Sequence, residues 1–195
     1  MARYRGSRVK VIRRLGSLPG FTTKSDRRKT NENSGSRQLS QYGFHLQEKQ
    51  KLRYNYGVTE HELIKYVKQA RKKKGNTGTV LLELLEMRLD NIIFKAGLAP
   101  TVSAARQLIS HGHVFVNNNK VTIPGFNCSV LQKIVVKKSS LKSNSDDFFS
   151  VKSSSHLSIE NNSSDISIMV TNSPNIQTLG FSINILLVLE YYSGK

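Results

Sequence analysis

From residue 88 to residue 138 the apolar residues recur first at helical and then at alternating spacing. Leu89, Ile92, Ile93 and Ala96 stand three and four positions apart, which predicts a helix over 89–96 that buries one face. Gly97 is placed to end it, since glycine takes the left-handed conformation that closes a helix. Leu98-Ala99-Pro100 turns the chain, and Thr101 can cap a second helix, Val102 to His111, with Ala105, Leu108 and Ile109 inward. Gly112 closes that helix by the same logic. The period then becomes two. His113 to Val116 reads as a strand, Asn117-Asn118-Asn119 as a turn, and Lys120 to Ile123 as the return, stopped by Pro124-Gly125. A further strand is expected at Lys133 to Lys137.

Upstream, Ser40 can cap a helix running to Tyr56, with Tyr42, His45, Leu46, Lys49, Leu52, Arg53 and Tyr56 near one broad side. Thr59-Glu60-His61-Glu62 is a capping box, and the helix it starts carries Leu63, Tyr66, Val67 and Ala70 on one side. Val80 to Glu86 reads as a short helix with Leu81, Leu84 and Leu85 inward. Residues 1–20 alternate cationic and apolar side chains, and 21–39 read as a long loop. After Lys138 the composition shifts: 139–165 is rich in Ser, Asn and Asp and reads as a surface excursion, interrupted by Phe148-Phe149-Ser150-Val151. His156 to Ile159 and Ile166 to Val170 alternate as short strands.

Charge changes the picture most. Lys and Arg number 30 against 13 acids, a net charge of +17 and a pI near 10.2. Residues 1–75 hold 20 of the cations and 5 of the acids, so the first part of the chain is the main electrostatic footprint. That balance points to a polyanionic partner, nucleic acid before membrane. No apolar run approaches membrane-spanning length, and no membrane partner is expected. Cys128 stands alone, which excludes an internal disulfide and a cysteine-based zinc site; its bland reading is a small buried side chain. His61 has no ligand-like neighbours at metal spacing, so no metal, cofactor or catalytic residue is assigned.

Several groups are candidates for phosphate contact. Arg3, Arg5, Arg8, Lys10, Arg13 and Arg14 can each meet a phosphate; the alternative is a basic arm that coats any RNA loosely. Lys49, Lys51 and Arg53 lie on the first long helix, where the plain alternative is a solvated face. Arg71-Lys72-Lys73-Lys74 ends the next; its helix dipole favours part of that charge, and the excess points to RNA. Arg106, Gln107, His111, His113 and Lys120 fall outside the apolar face of the 88–138 unit. On pattern alone that unit is a small αα-β-hairpin module with a solvated basic face, or a helix–turn–helix that docks on DNA.

The residues themselves carry a resemblance. Met-Arg-Leu-Asp-Asn (87–91), Gly-Leu-Ala (97–99), Ala-Arg-Gln-Leu-Ile (105–109), His-Gly-His-Val (111–114) and Val-Asn (116–117) resemble the RNA-binding module first described in ribosomal small-subunit protein four. That module is shared with some pseudouridine synthases, tyrosyl-tRNA synthetases and stress proteins. Gly-Asn-Thr-Gly (75–78) and the Leu-Leu-Glu-Leu-Leu-Glu-Met-Arg-Leu-Asp-Asn string (81–91) resemble the ribosomal family itself. Arg-Arg-Leu-Gly (13–16) with Leu-Pro-Gly (18–20) looks like the start of its plastid forms. Ile183 to Ser193 resembles the family's C-terminal signature. The arginine-rich, acid-free start could mimic a transit peptide, but the resemblance favours a mature RNA-binding start.

The resemblance implies an α+β fold. It comprises a mainly helical N-terminal domain (1–87), an inserted αα-β-hairpin RNA-binding module (88–150), and a C-terminal segment (151–195) packing back on the N-terminal domain. It implies a structural, non-enzymatic constituent of the small ribosomal subunit in a chloroplast, with a mitochondrial ribosome as the alternative. Its partners would be small-subunit rRNA, neighbouring proteins, notably protein five, and messenger RNA where it enters. It would nucleate assembly of the subunit body and contribute to translational accuracy. The expected contacts are Arg3, Arg5, Lys49, Lys51, Arg53, Lys72, Arg106, Gln107, His111, His113 and Lys120. The sequence departs from the family in three places. Asn118 and Asn119 stand where the hairpin turn carries glycine, and Val130-Leu131-Gln132 replaces a Pro-Gly-Asp. The C-terminal part lacks tryptophan and the arginine expected shortly after Pro174. An RNA-modifying enzyme is the first rival, but the 57 residues after Lys138 are too few and too polar for a catalytic domain. A DNA-binding regulator is the second, and dispersed charge argues against it.

Overall fold

The computed structural model describes residues 4–24, 40–140, 156–162, 165–174 and 179–193. Four helices lead: α1 (Arg8–Leu15), α2 (Gln41–Asn55), α3 (Glu60–Lys72) and α4 (Thr77–Glu86). Two more, α5 (Leu89–Lys95) and α6 (Val102–Ser110), precede β1 (Val114–Val116), β2 (Asn119–Lys120) and β3 (Lys133–Lys137). Strands β4 (Leu157–Asn161) and β5 (Asp165–Val170) follow, and α7 (Ile185–Ser193) ends the described chain.

The caps are those the sequence offers. The Ser40 hydroxyl accepts from Gly43 N–H at 3.2 Å, and Thr59 and Glu62 form the reciprocal capping box of α3. Thr101 caps α6 through Ala104 N–H at 3.3 Å. Gly97 and Gly112 both stand at φ 76°. There Gly97 N–H donates to Phe94 O and Leu98 N–H to Ile93 O, and the pattern repeats at Gly112 and His113. The α4 helix begins three residues earlier than its apolar pattern suggests, because Asn76 supplies the cap through Gly78 N–H.

The five strands form one antiparallel sheet in the order β2-β1-β3-β5-β4. Register aligns one face: Val114 opposite Val136, Val116 opposite Ile134, Ile134 opposite Ile168, and Val136 opposite Ile166. That face meets Leu89, Ile92, Ile93, Ala105 and Ile109 of α5 and α6 in a single core. The left-handed turn residues are Asn117 and Asn118, at φ 47° and 68°, one position earlier than the Asn118–Asn119 pair expected. The return strand is only two residues long. Beyond it the chain bends away, and the carbonyls of Pro124 and Phe126 accept from Asp90 and Leu89 N–H at the start of α5.

A second core joins α2, α3, α4 and α7 through Leu52, Tyr56, Leu63, Val67, Leu81, Leu85, Val188 and Tyr192. The 151–195 segment expected to return as a whole is therefore divided. Leu157–Asn161 and Asp165–Val170 extend the module's sheet, and Ile185–Ser193 packs back on the N-terminal helices. The start of the chain is not a plain arm either. Leu15 and Leu18, with Val11 against them, pack on Phe21 in a small third cluster. The Phe148-Phe149-Ser150-Val151 interruption lies outside the described residues.

Candidate nucleic-acid interface

The interface is built where α6 meets the end of α2. Gly57, at φ 59°, closes α2 and leaves the carbonyls of Tyr56 and Gly57 facing α6. Arg106 takes both: its Nη2 donates to Tyr56 O at 3.0 Å and its Nη1 to Gly57 O at 2.5 Å. Its Nε donates to Asp90 Oδ2 at 2.8 Å. Asp90 is fully buried and also accepts from Arg88, Nε to Oδ1 at 3.1 Å and Nη2 to Oδ2 at 2.8 Å. Arg88 reaches on to the Tyr66 hydroxyl at 2.7 Å. Burial alone would lower the Arg88 pKa, but hydrogen bonding and charge from Asp90 outweigh it and hold the guanidinium more firmly protonated.

A second buried carboxylate works beside the first. Glu86 accepts from the Tyr56 hydroxyl and from Asn91 Nδ2 at 2.8 Å, and pairs with Lys95 Nζ at 2.5 Å. Burial, then the charge of Glu86, pushes the Tyr56 hydroxyl well above its ordinary pKa. Two carboxylates four residues apart thus tie the module to the helical domain. Each carries opposite charge and hydrogen bonds enough to tolerate burial.

Two members of this latch, Arg106 and Gly57, line the floor of an open groove of about 1100 Å³. The N-terminal segment supplies Tyr4, Arg5, Arg8 and Phe21 to its lining, and the end of α2 supplies Arg53 and Tyr54. The outer side of α6 supplies Gln107 and His111. Arg5, Gln107 and His111 are exposed. Arg8 lies over the Phe21 ring at 5.5 Å and donates to Phe21 O at 3.2 Å; Arg53 lies over Tyr54 at 5.6 Å. The groove therefore pairs a row of cations with aromatic faces.

His113 and Lys120 extend the polar edge beyond α6. The His111 and His113 rings stand 6.1 Å apart, and Lys120 lies across Gly112 so closely that a Cβ there would collide with it. Elsewhere, Lys72, Lys73 and Lys74 are exposed at the end of α3, while the guanidinium of Arg71 is held by Tyr192 O at 3.0 Å.

The structure distributes the expected contacts unevenly. Arg5, Arg53, Arg106, Gln107 and His111 share the groove, His113 and Lys120 flank it, and Lys72 lies apart on α3. Arg3 lies outside the described residues. Three residues expected to reach phosphates have intramolecular partners instead. Lys49 is only 4% exposed, bound to Glu60 at 3.2 Å and seated over the Tyr191 ring at 4.2 Å, so it joins α2 to α3 and α7. Lys51 pairs with Glu48 at 2.5 Å. Arg106 spends three of its five N–H donors on the latch. Conversely, Tyr4, Phe21 and Tyr54 belong to the groove and were not expected there. Their signal in the sequence is faint: Tyr4 and Tyr54 each stand next to an arginine, and Phe21 has no such neighbour.

Among the described residues no group of three His, Cys, Asp or Glu side chains could hold a metal ion, and no helix is long and apolar enough to cross a membrane. Burial pushes the Cys128 thiol up to about 12, with Asp90 adding to the shift.

Comparison with known proteins gives two family matches. The S4 domain model matches residues 87–130, and the model of the ribosomal protein S4/S9 N-terminal domain matches residues 3–86. Over 197 residues the chain is 66% identical to small ribosomal subunit protein uS4c of Bigelowiella natans, covering 100% of both chains. It is 50% identical over 204 residues to uS4c of Oltmannsiellopsis viridis, covering 99% of this chain and 100% of the relative. It is 48% identical over 203 residues to uS4c of Marchantia polymorpha, covering 100% of both.

Proposed function

The chain belongs to the ribosomal protein S4 family, and from that membership we propose that the groove between α2, α6 and the N-terminal segment is its rRNA-binding face. The protein is a structural constituent of the small ribosomal subunit, it binds small-subunit rRNA, and it is not an enzyme. Its relatives carry the chloroplast designation, and its ribosome is that of the plastid.

One observation carries the assignment of the face. Hydrogen-bond donors from two separate domains, the cations Arg5 and Arg53 on one side and the polar Gln107 and His111 on the other, line one groove to which the Arg106–Asp90 latch also contributes. A rigid cationic groove neutralises phosphates and releases counterions, which supplies affinity. Its fixed shape selects a folded RNA junction over a bare helix, which supplies specificity. Lys120, His113 and Lys72 extend the footprint. In this reading the protein joins the subunit early, organises its body, borders protein five and the path by which messenger RNA enters, and so affects decoding accuracy.

The test is sedimentation from plastid extracts. A tagged chain should travel with the small subunit, and the charge-reversed Arg5→Glu/Arg53→Glu variant should shift toward the top of the gradient. Co-sedimentation with mitochondrial ribosomes, or an unchanged position for the variant, would overturn the assignment.

A further inference from the structure

One wall of the groove carries more aromatic surface than phosphate binding needs. Tyr4, Phe21 and Tyr54 form a closed set, with ring centroids 5.9 Å (Tyr4–Phe21), 5.4 Å (Tyr4–Tyr54) and 5.2 Å (Phe21–Tyr54) apart. Their burial differs. Phe21 is buried and completes the Leu15–Leu18 cluster, and Tyr54 is half-buried against it. Both are explained by packing. Tyr4 stands on them edge-on, at 79° to Tyr54, and remains 43% exposed.

The hydroxyl does not explain Tyr4 either. Its hydrogen bond is a 3.5 Å contact with Ser7 O, at the limit of a bond. Gly6 lies so close to the ring that a side chain there would strike it, so the ring is folded back over its own backbone. Arg5 is exposed beside it, and Arg53 lies over the neighbouring Tyr54 ring. Across the groove stand Gln107 and His111, both exposed.

A supported, half-open ring flanked by cations is the arrangement by which proteins hold single-stranded nucleic acid, because every base has a π-face and every phosphate a charge. Bases within a helix have no face free for such a ring. We propose that the groove receives an unpaired nucleotide whose base stacks on Tyr4, with its flanking phosphates against Arg5 and Arg53. Gln107 offers an amide to the base edge from the opposite wall. This inference rests on the rRNA-binding reading and deepens it, from contact with the backbone to capture of one base.

The experiment compares full-length wild type with Tyr4→Ala, Tyr4→Phe and Arg5→Ala. Each is bound to the 5′ portion of small-subunit rRNA over a salt series, with base reactivity mapped by chemical modification. Stacking predicts that Tyr4→Ala loses affinity on the order of tenfold or more at unchanged salt slope. It also predicts that Tyr4→Phe restores binding, and that one unpaired base protected by wild type becomes reactive with Tyr4→Ala. Arg5→Ala instead lowers the slope by roughly 0.7–0.9 log units. A thermal midpoint shared by wild type and Tyr4→Ala separates stacking from folding. If wild type keeps its preference for this RNA but Tyr4→Ala binds equally well, or Tyr4→Phe fails to rescue, the stacking inference falls and the rRNA-binding reading survives. If wild type shows no preference over an unrelated RNA, both fall together.

Discussion

Replacing Arg106 with alanine separates two roles that look identical in the sequence. As a phosphate contact the residue would matter only to RNA; as a latch it matters to the protein's stability, and to RNA only through the groove it holds in shape. Its guanidinium makes three hydrogen bonds, to Tyr56 O, Gly57 O and Asp90 Oδ2. Hydrogen bonds to a charged group contribute about 1.5–3 kcal/mol each when lost singly, and they are not additive. Removing one partner of a buried ion pair costs about 3–5 kcal/mol when the other is left uncompensated. Here Asp90 keeps both bonds from Arg88, and the Arg106 side chain is 20% exposed, which discounts the electrostatic share. The expected loss is therefore about 2–3 kcal/mol. Urea denaturation followed by circular dichroism measures it. Arg106→Lys keeps the charge without the planar fork and should recover less than half. RNA affinity should fall as well, since the groove loses its fixed floor, but at nearly unchanged salt slope. An unchanged denaturation midpoint together with a slope reduced by about one phosphate's worth would refute the latch.

Other residues give sharper single readouts. His156 is buried, neither ring nitrogen has a hydrogen-bond partner among the described residues, and burial followed by the charge of Lys95 lowers its pKa against a smaller opposing effect of Glu86. The folded state thus holds it neutral, and the unfolded chain binds a proton more readily. Stability from this group is full above about pH 6.5 and falls with decreasing pH, by at most about 1.4 kcal/mol per unit. His156→Phe should remove that component from urea midpoints taken between pH 7.5 and 5.5, and an identical slope in the variant would sink the argument. Cys128 is 2% exposed with its thiol pushed up to about 12, so a disulfide reagent should label it only on global unfolding, with the same urea midpoint as circular dichroism. Labelling at the rate of a free thiol in native buffer would contradict its burial. The combined Lys72→Ala, Lys73→Ala, Lys74→Ala variant should lose little stability, since cations at a helix end contribute only about 0.3–1 kcal/mol each. Its RNA-binding salt slope should drop by roughly two log units if the three meet phosphates; an unchanged slope would confine them to the α3 dipole.

Local order was legible because local order is what residue spacing encodes. The period-3.6 runs, the Thr59 capping box and the glycines at 97 and 112 each describe a few neighbouring residues, and the helices and turns they mark are present. The α1 helix was missed although Val11, Ile12 and Leu15 stand at helical spacing, because the segment was read for its cations, Arg8, Lys10, Arg13 and Arg14, as a basic arm. Of these apolar residues, Val11 and Leu15 pack with Leu18 and Phe21. The destination of β4 and β5 was hidden for a different reason: alternation shows a strand but not its partner, and β5 pairs with β3 across some thirty residues of sequence. The groove was legible only in part. Residue type marked Gln107, His111 and Arg53 as donors, but nothing in the type of Lys49 or Arg106 announces Glu60 or the carbonyl of Gly57 as its partner. A cation's role is set by what folding brings beside it. An excess of charge in the sequence therefore identifies the ligand class more reliably than it identifies the contacts.

The most direct test of the account measures affinity for the 5′ portion of small-subunit rRNA and for an unrelated folded RNA of equal length, across rising salt. Charge alone gives both RNAs similar affinity and a shared steep slope, about 0.7–0.9 log units per phosphate neutralised. A groove of fixed shape predicts that the cognate RNA keeps at least a tenfold advantage, about 1.4 kcal/mol, after the unrelated RNA has been released. If the two are lost together at the same salt, the groove carries no specificity and the central claim is wrong.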